Sequence, residues 1–458
     1  MLRFLLPVTL ACSVSIAHAQ QHEDSATLRK LADDVLTHST AYANLKVLTK
    51  EIGGRLAGSP QMPKAEQWGF KALKAAGADT VYLQECMVPH WVRGDKEEVR
   101  IISKRRDFVP PLQVLALGNS IGSGPEGITA PVIEVASFAD LEAKKDQVKG
   151  KIVFYNYHFN STFIKTFHAY GDAFMYRAAG ASRAARYGAL AVIVRSMSHA
   201  ANNFPHTGAM RYNDSFPKIP AVAIGLEDAD KLSSRIGDDK DMKIYFRTTC
   251  HFLPDTIGHN VIGELKGSEE PGQVITVGGH LDSWDVNEGA HDDGTGCVQS
   301  IEVLRAFKAL GIKPKHTLRV VLFANEENGT RGGQKYADAA KAAGEKHIFA
   351  LESDAGGFTP RGFSLTASPE QRAKVKSWAK LLLPYGLYDF DEEGGGTDVG
   401  PLNEHLGIPI GELSPDSQRY FDIHHAQSDV FEAVNKRELE LGAFSMAALL
   451  YLIDEHGL

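Results

Sequence analysis

The strongest indication of the architecture of this chain is residues 274–307, VITVGGHLDSWDVNEGAHDDGTGCVQSIEVLRAF. The apolar run Val274–Gly278 is typical of a buried strand. Four apolar residues then recur at helical spacing: Cys297, Ile301, Leu304 and Phe307. Two more buried-strand runs follow at Leu318–Phe323 and Ile348–Leu351. Strands that alternate with helices of this length predict an α/β fold, with a mixed, mostly parallel sheet flanked by helices.

His or acidic residues follow each of these three predicted strands. His280 and Asp282 come after the first strand, Glu326–Glu327 after the second and Asp354 after the third. The chain has 57 Asp and Glu and 18 His, so one such coincidence would mean little. Three such coincidences, each at the carboxyl end of a predicted strand, are significant, because ligands bind beyond the carboxyl ends of parallel strands. Together with Asp292–Asp293 the carboxylates would repel one another unless they were neutralised. A divalent metal does this, and mixed His and carboxylate ligands suit zinc.

Composition excludes several classes of protein. With 458 residues, 43% hydrophobic and 23% charged, the chain is neither disordered, collagen-like nor a small disulfide-rich protein. Its net charge of −8 and scattered basic residues argue against nucleic-acid binding. Cys86, Cys250 and Cys297 allow one disulfide at most, and the absence of a CxxC pair argues against a cysteine-based zinc site.

The N-terminus has the pattern of a signal peptide. Arg3 precedes the apolar stretch Phe4–Ile16, and Ala17-His18-Ala19 has the small-x-small cleavage pattern. We therefore expect residues 1–19 to be removed and the protein to be secreted or periplasmic. The apolar run is shorter than the ~20 residues that a membrane span needs, and no later stretch is long enough, so no membrane span is expected.

Four strings in the C-terminal half occur together in one known family. They are GGHLDSWDVNEGAHDDGTG (278–296), FANEENGTRGG (323–333), ESDAGG (352–357) and HHAQSD (424–429). As a set they resemble the co-catalytic zinc exopeptidases, a family that includes glutamate carboxypeptidase II and bacterial zinc aminopeptidases. Within it, HLDSWDV followed by a Gly-Ala-x-Asp-Asp-Gly turn is most similar to the carboxypeptidase Q group.

Other segments extend this resemblance to nearly all of the mature chain. IGGRLAGSP (52–60) looks like the end of the family's opening helix. VKGKIVF (148–154) and AARYGALAVIV (184–194) resemble a protease-associated domain, a common insertion in the family. The expected domains are the signal peptide 1–19, the first part of the peptidase domain 20–115, a β-rich protease-associated-like insertion 116–250 and the catalytic domain 251–458.

The resemblance implies two zinc ions and their ligands. His280 and Asp354 are the expected ligands of one ion. Glu327 and His425 are the expected ligands of the other, and Asp292 is expected to bridge both. His425 is preferred to the adjacent His424, which is the fallback, because it stands four residues before an acid, as the family's last ligand does.

The resemblance also implies two catalytic residues and a reaction. Asp282 is expected to hold the imidazole of His280 through its far nitrogen, and Glu326 is the expected general base. Adjacent Glu326 and Glu327 can share one site only if the backbone turns there. His291 is an unexpected imidazole next to the bridging carboxylate, and we assign it to the side wall. The implied substrates are short unblocked peptides, dipeptides foremost, and the implied assembly is a homodimer.

Three readings remain beside this one. The first is a zinc aminopeptidase of the same fold, and the second is a receptor-like homologue without catalysis. The third is a serine hydrolase, because Gly118–Gly122 matches GxSxG, although helix-breaking residues follow it where a nucleophile elbow needs a helix. In the loop GGGTDVGPL (394–402), Asp398 either binds a substrate amine, supports the site or caps a turn.

Overall fold

The computed structural model describes residues 6–104 and 109–458, with side chains from residue 22 onward. The strands are β1 (Thr80–Val92), β2 (Glu98–Ile102), β3 (Val114–Ala116), β4 (Ile128–Val135), β5 (Ile152–Tyr155), β6 (Ala191–Arg195), β7 (Ala221–Ile224), β8 (Lys243–Arg247), β9 (His251–Leu265), β10 (Glu270–His280), β11 (His316–Phe323), β12 (Lys346–Glu352), β13 (Pro360–Thr366) and β14 (Ile410–Pro415). They form two sheets, each of seven strands.

Helices cover these sheets. The α-helices are α1 (Leu6–His38), α2 (Ala41–Val47), α3 (Met62–Ala75), α4 (Phe138–Ala143), α5 (Thr166–Ala185), α6 (Leu226–Asp238), α7 (Thr295–Leu310), α8 (Glu326–Gly329), α9 (Arg331–Ala343), α10 (Pro369–Ser377), α11 (Ala379–Leu382), α12 (Gly400–Leu406) and α13 (Lys436–His456). Two π-helical turns interrupt this pattern, at Leu48–Ile52 and Ala290–Gly294. The second of these turns contains Asp292, the expected bridging ligand.

The first sheet has the strand order β1-β9-β11-β10-β12-β14-β13. Its four central strands, β11, β10, β12 and β14, are parallel, and the outer strands β1, β9 and β13 are antiparallel to their neighbours. The three strands predicted from the sequence lie within β10, β11 and β12. The expected α/β fold is confirmed.

Both faces of the first sheet are covered, as its apolar strands require. Along β11, Val320 and Leu322 pack in the core that contains α1, α7 and α13. The intervening Val321 and Phe323 pack in the opposite core, against α9 and α12. This alternation follows from the two-residue period of a strand, and it explains why the segment is apolar throughout.

The second sheet is inserted between two adjacent strands of the first. Its order is β2-β8-β4-β5-β6-β7-β3, and α5 packs on β6. The chain leaves the first sheet at Val92 and returns at His251, two residues that are paired in the β1–β9 ladder. The second sheet starts earlier than the expected residue 116, because β2 pairs with β8. A short edge strand of this kind has no sequence signal that separates it from the end of β1.

The structure bears to different extents on the predicted signal peptide, the membrane span and the cysteines. The predicted signal peptide falls outside the fully described residues, since 1–5 are not described and the side chains of 6–21 are not either. Among the described residues, no helix combines the length and apolar character that crossing a membrane requires. Cys86, Cys250 and Cys297 are each buried and free.

Arg55, in the string IGGRLAGSP, joins the N-terminal segment to the loop that follows β10. Its side chain is 0% exposed. Its guanidinium donates hydrogen bonds to the carbonyl oxygens of Leu281, Glu288 (2.9 Å) and Gly289 (3.0 Å). These carbonyls belong to a loop without regular structure, so Arg55 satisfies backbone groups that no ladder serves.

Replacing Arg55 with methionine would leave the carbonyl oxygens of Leu281, Glu288 and Gly289 without this donor. We expect Arg55→Met to lower the free energy of unfolding by about 3 kcal/mol, since each lost hydrogen bond to a charged group costs at least ~1 kcal/mol. Urea denaturation followed by circular dichroism measures the change. The control is Arg29→Met, which removes an exposed pair with Asp33 and should cost no more than about 1 kcal/mol. Equal urea midpoints for the two variants would contradict the assignment.

Candidate metal centre and active site

The candidate centre lies where β10, β11 and β12 end. His280 is the last residue of β10. Beyond β11, Asn325 has a positive φ of 62° and precedes the helical turn α8, which begins with Glu326 and Glu327. This turn allows both glutamates to line the same cavity, which neighbours in a continued strand could not do. Asp354 follows β12 by two residues.

His280 faces two carboxylates with one nitrogen. Its Nε2 lies 3.1 Å from Oδ1 of Asp292 and 3.2 Å from Oδ1 of Asp354. Its Nδ1 lies 3.0 Å from the backbone oxygen of Asp282. Nδ1 therefore donates to this oxygen, which leaves Nε2 free of its proton in the neutral ring and able to bind a metal.

His425 repeats this arrangement on the other side of Asp292. Its Nε2 lies 3.1 Å from Oδ2 of Asp292 and 3.2 Å from Oε2 of Glu327. Its Nδ1 lies 3.3 Å from the carbonyl oxygen of Thr207 in the second-sheet domain. Asp292 thus directs one oxygen toward each imidazole.

The donor geometry fits metal ions better than it fits protons. An imidazole nitrogen carries one proton, which cannot serve two carboxylate oxygens equally well. A cation binds all three atoms at once. Each imidazole with its two oxygens offers three donors and leaves a position open, as in catalytic zinc sites. The set of nitrogen and carboxylate donors also has the chemistry that zinc prefers.

The electrostatics of the residues agree with this fit. Burial lowers the pKa of His425, but Glu327 and Asp292 outweigh it and raise that pKa to about 10. Burial also opposes charge on His280, yet Asp354 and its other carboxylate neighbours raise its pKa well above the usual value. Both imidazoles are therefore driven toward the positive form by the buried acids that surround them.

The two carboxyl groups of the turn α8 also have shifted pKa values. Burial, with Asp354 adding to it, raises the pKa of Glu326 to about 8. Burial, with Asp292 adding to it, raises the pKa of Glu327 to about 7. Both shifts have the sign expected when buried acids lie close to one another without enough positive charge.

Asp282 has a different main contact from the one expected. Its carboxylate accepts hydrogen bonds from the backbone N–H groups of Glu326 (3.0 Å) and Glu327 (3.3 Å). The distance from its Oδ1 to Nδ1 of His280 is 3.6 Å, longer than a hydrogen bond. Asp282 therefore orients the turn that carries the expected base, while its backbone oxygen orients His280.

Two further aspartates fix the π-helical turn. Asp293 accepts hydrogen bonds from the backbone N–H of His280 (3.0 Å) and of Gly296 in the first turn of α7 (2.8 Å). Asp429 accepts hydrogen bonds from the backbone N–H groups of His291 (2.7 Å) and Asp292 (3.2 Å). The bridging position is thus held from both sides.

The remaining predicted residues lie around this centre. His424 stacks on His425, and its Nε2 is 3.7 Å from Oδ2 of Asp292. His291 turns away, stacks on Phe358 and accepts a hydrogen bond from a backbone N–H with its Nδ1. It is not among the described residues that line the cavity, so the structure does not place it in the side wall. Asp398 is completely buried and is not among the cavity-lining residues. A substrate amine in the cavity would not meet its carboxylate.

The serine-hydrolase reading lacks its structural context. Ser120 is 0% exposed, and its hydroxyl accepts a hydrogen bond from the backbone N–H of Ala221. The backbone after Gly122 continues without a helix into β4. A nucleophile elbow needs an exposed hydroxyl and a helix directly behind it.

A cavity of about 910 Å³ opens over the centre, and both domains line it. From the second-sheet domain comes Arg177 of α5, which is 6% exposed. Its Nη1 lies 3.5 Å from Nδ1 of His425, and its Nε has no partner in the described chain. From the first sheet comes Glu412 of β14, and burial raises the pKa of its carboxyl to about 8. Sequence reasoning missed both residues, because neither belongs to a motif.

Comparison with known proteins identifies both domains. Residues 260–450 match the sequence pattern of Peptidase family M28, and residues 128–232 match that of the PA domain. Carboxypeptidase Q of Mus musculus is 35% identical over 415 residues, which cover 91% of this chain and 86% of that protein. Carboxypeptidase Q of Homo sapiens is 36% identical, with 91% and 85% covered.

Solved structures give the same picture. A Peptidase M28 precursor from Shewanella amazonensis is 33% identical, with a TM-score of 0.88, and the match covers 95% of this chain and 97% of that one. A zinc aminopeptidase from Bacillus subtilis is 20% identical, with a TM-score of 0.64 and coverage of 90% and 94%. The second likeness concerns the fold alone.

The adjacent histidines give a sharp test of the centre. We expect His425→Ala to lower the zinc bound per chain, because it removes the nitrogen that faces both Asp292 and Glu327. His424→Ala is the matched control and should retain the zinc content of the unmodified protein. Inductively coupled plasma mass spectrometry after dialysis measures both. A loss with His424→Ala and none with His425→Ala would reverse the ligand assignment.

Proposed function

The chain belongs to Peptidase family M28 and is a metallo-exopeptidase, and from this premise we propose that it is a secreted or periplasmic carboxypeptidase Q-like enzyme that hydrolyses short unblocked peptides, dipeptides foremost. The proposed cofactor is a pair of zinc ions. One would be held by His280 and Asp354 and the other by Glu327 and His425, with Asp292 shared.

One observation carries this proposal. The two carboxylate oxygens of Asp292 each lie 3.1 Å from the Nε2 atom of a different histidine, with a further carboxylate beside each nitrogen. A receptor-like homologue would have no need for a complete set of donors. The presence of all five proposed ligands and of Glu326 therefore favours catalysis.

Glu326 is the proposed general base. When bound, the zinc ions would supply the Lewis acidity that polarises the scissile carbonyl and acidifies the attacking water. Glu326 lines the cavity without a hydrogen-bond partner for its carboxylate in the described chain. It would take the proton of that water and return it to the leaving amine. Asp282 would keep this glutamate in position through the backbone of α8.

Arg177 favours substrates with a free carboxyl terminus. It is a buried guanidinium on the cavity wall, and no carboxylate of the described residues forms an ion pair with it. A buried charge without a partner is costly, and a carboxylate of the substrate would remove that cost with a bidentate pair. This observation supports a carboxypeptidase or dipeptidase over an aminopeptidase. The homodimer remains part of the proposal on the resemblance alone.

The role of Glu326 can be separated from metal binding. We expect Glu326→Gln to lower kcat by about 10²–10⁴-fold, because the amide cannot accept the proton. Zinc content should not change, since Glu326 is not a proposed ligand. Glu393→Gln, an exposed substitution, is the control and should retain full activity. Full turnover by Glu326→Gln would refute the proposed base.

The substrate class is tested with a set of dipeptides that differ only at their ends. We expect hydrolysis of Ala-Ala, detected by amine release, and much slower hydrolysis of Ala-Ala-amide. A metal chelator should abolish both activities, and added zinc should restore them. If Ala-Ala-amide is the better substrate, the enzyme is an aminopeptidase. If no peptide is cleaved by the zinc-loaded protein, the receptor-like reading is favoured.

A further inference from the structure

Glu412 is a carboxylate on the wall of the active cavity that the proposed chemistry does not use. Of the acidic residues that line this cavity, Asp292, Glu327 and Asp354 are proposed metal ligands and Glu326 is the proposed base. Zinc ions would compensate the charges of the three ligands. Glu412 would then be the one lining carboxylate, within the described chain, that has neither a metal nor a catalytic role.

The surroundings of Glu412 supply no counter-ion. Its side chain forms no hydrogen bond or ion pair with any residue that the structure describes. Glu412 also lines a second cavity, which contains the cations Lys165 and Arg361. Lys165 is paired with Asp389 and Glu392, both at 2.7 Å, and Arg361 is paired with Asp416. Neither cation is therefore available to Glu412.

The position of Glu412 in the sheet sets its distance from the centre. On β14 it is paired with Glu352 of β12, and Asp354 follows Glu352 by two residues. Neighbouring strands lie about 4.8 Å apart, so Glu412 lies next to the centre on its Asp354 side. Arg177 lies on the other side, where its guanidinium contacts His425. The cavity thus has the Glu412 carboxyl on one side of the proposed metal positions and the Arg177 guanidinium on the other.

We propose that Glu412 binds the α-ammonium group of the residue that supplies the carbonyl of the scissile bond. This inference rests on the proposed function, because it takes Arg177 as the partner of the substrate's carboxylate. In a dipeptide the ammonium and the carboxylate flank a single peptide bond, and two residues span at most ~7 Å. A substrate with the two charges at this separation would lie across the centre with both ends paired. A longer peptide whose C-terminal carboxylate is bound by Arg177 would place its α-ammonium beyond Glu412.

The test compares three substrates that differ in the acyl group and in the presence and position of its ammonium. Ala-Ala has the α-ammonium, propanoyl-alanine is the same molecule without it, and 6-aminohexanoyl-alanine has an ammonium at a side-chain distance only. The enzyme is the zinc-loaded full chain, and kcat/KM is measured for each substrate. We expect the unmodified enzyme to prefer Ala-Ala to propanoyl-alanine by on the order of 100-fold, the usual effect of one desolvated charge pair.

The variant Glu412→Gln keeps the size of the side chain and removes its charge. We expect it to lower kcat/KM for Ala-Ala by on the order of 100-fold and to leave that for propanoyl-alanine unchanged. Glu404→Gln, an exposed substitution on α12 outside the cavity, is the matched control and should change neither. Glu412→Asp retains the charge and should restore part of the preference, which also covers the case that Glu412→Gln does not fold.

Several outcomes would overturn the assignment of Glu412. Equal losses on Ala-Ala and propanoyl-alanine would indicate a structural role. A loss confined to 6-aminohexanoyl-alanine would show that the residue binds a side-chain ammonium instead. Equal rates of the unmodified enzyme on Ala-Ala and propanoyl-alanine would refute ammonium recognition while the proposed peptidase function stands. A zinc-loaded enzyme inactive on all three would refute the proposed function itself.

Discussion

Buried carboxylates without enough positive charge are the constraint on which this structure depends. Asp292, Glu327 and Asp354 meet at the edge of the first sheet, where the groups that pair with them among the described residues are imidazoles. Such a group of acids is stable only when positive charge is supplied. The surrounding residues fix these acids in place. Asp282, Asp293 and Asp429 accept hydrogen bonds from the backbone of the segments that carry the site residues.

The part of the site that could be predicted from sequence consists of the residues that directly follow the strands. Three apolar runs, each followed by His or acidic residues, predict both the parallel sheet and the side chains at its edge. Glu326 and Glu327 required a turn, and the left-handed Asn325 provides it. These features are local, so a short window of sequence contains the information that they need.

The rest could not be predicted, because it depends on contacts between distant segments. Arg177 and Glu412 are single residues on an ordinary helix and an ordinary strand, and only the packing of the two domains brings them to one cavity. The contact of Asp282 with α8 spans 44 residues of sequence. The membership of β2 in the second sheet depends on β8, more than a hundred residues later. No periodicity or motif encodes such pairings.

The hydrogen bonds that Arg55 forms with a distant loop have a consequence for the order in which the molecule folds. The contact of Arg55 with Leu281 joins residues 226 positions apart, and the contact of Arg177 with His425 joins residues 248 positions apart. Loops of this length close late, since their entropy must be overcome before the contact contributes. A nascent or partly folded chain therefore has no preformed cage for an ion. A metal site assembled from such distant segments is complete only once the tertiary structure has formed.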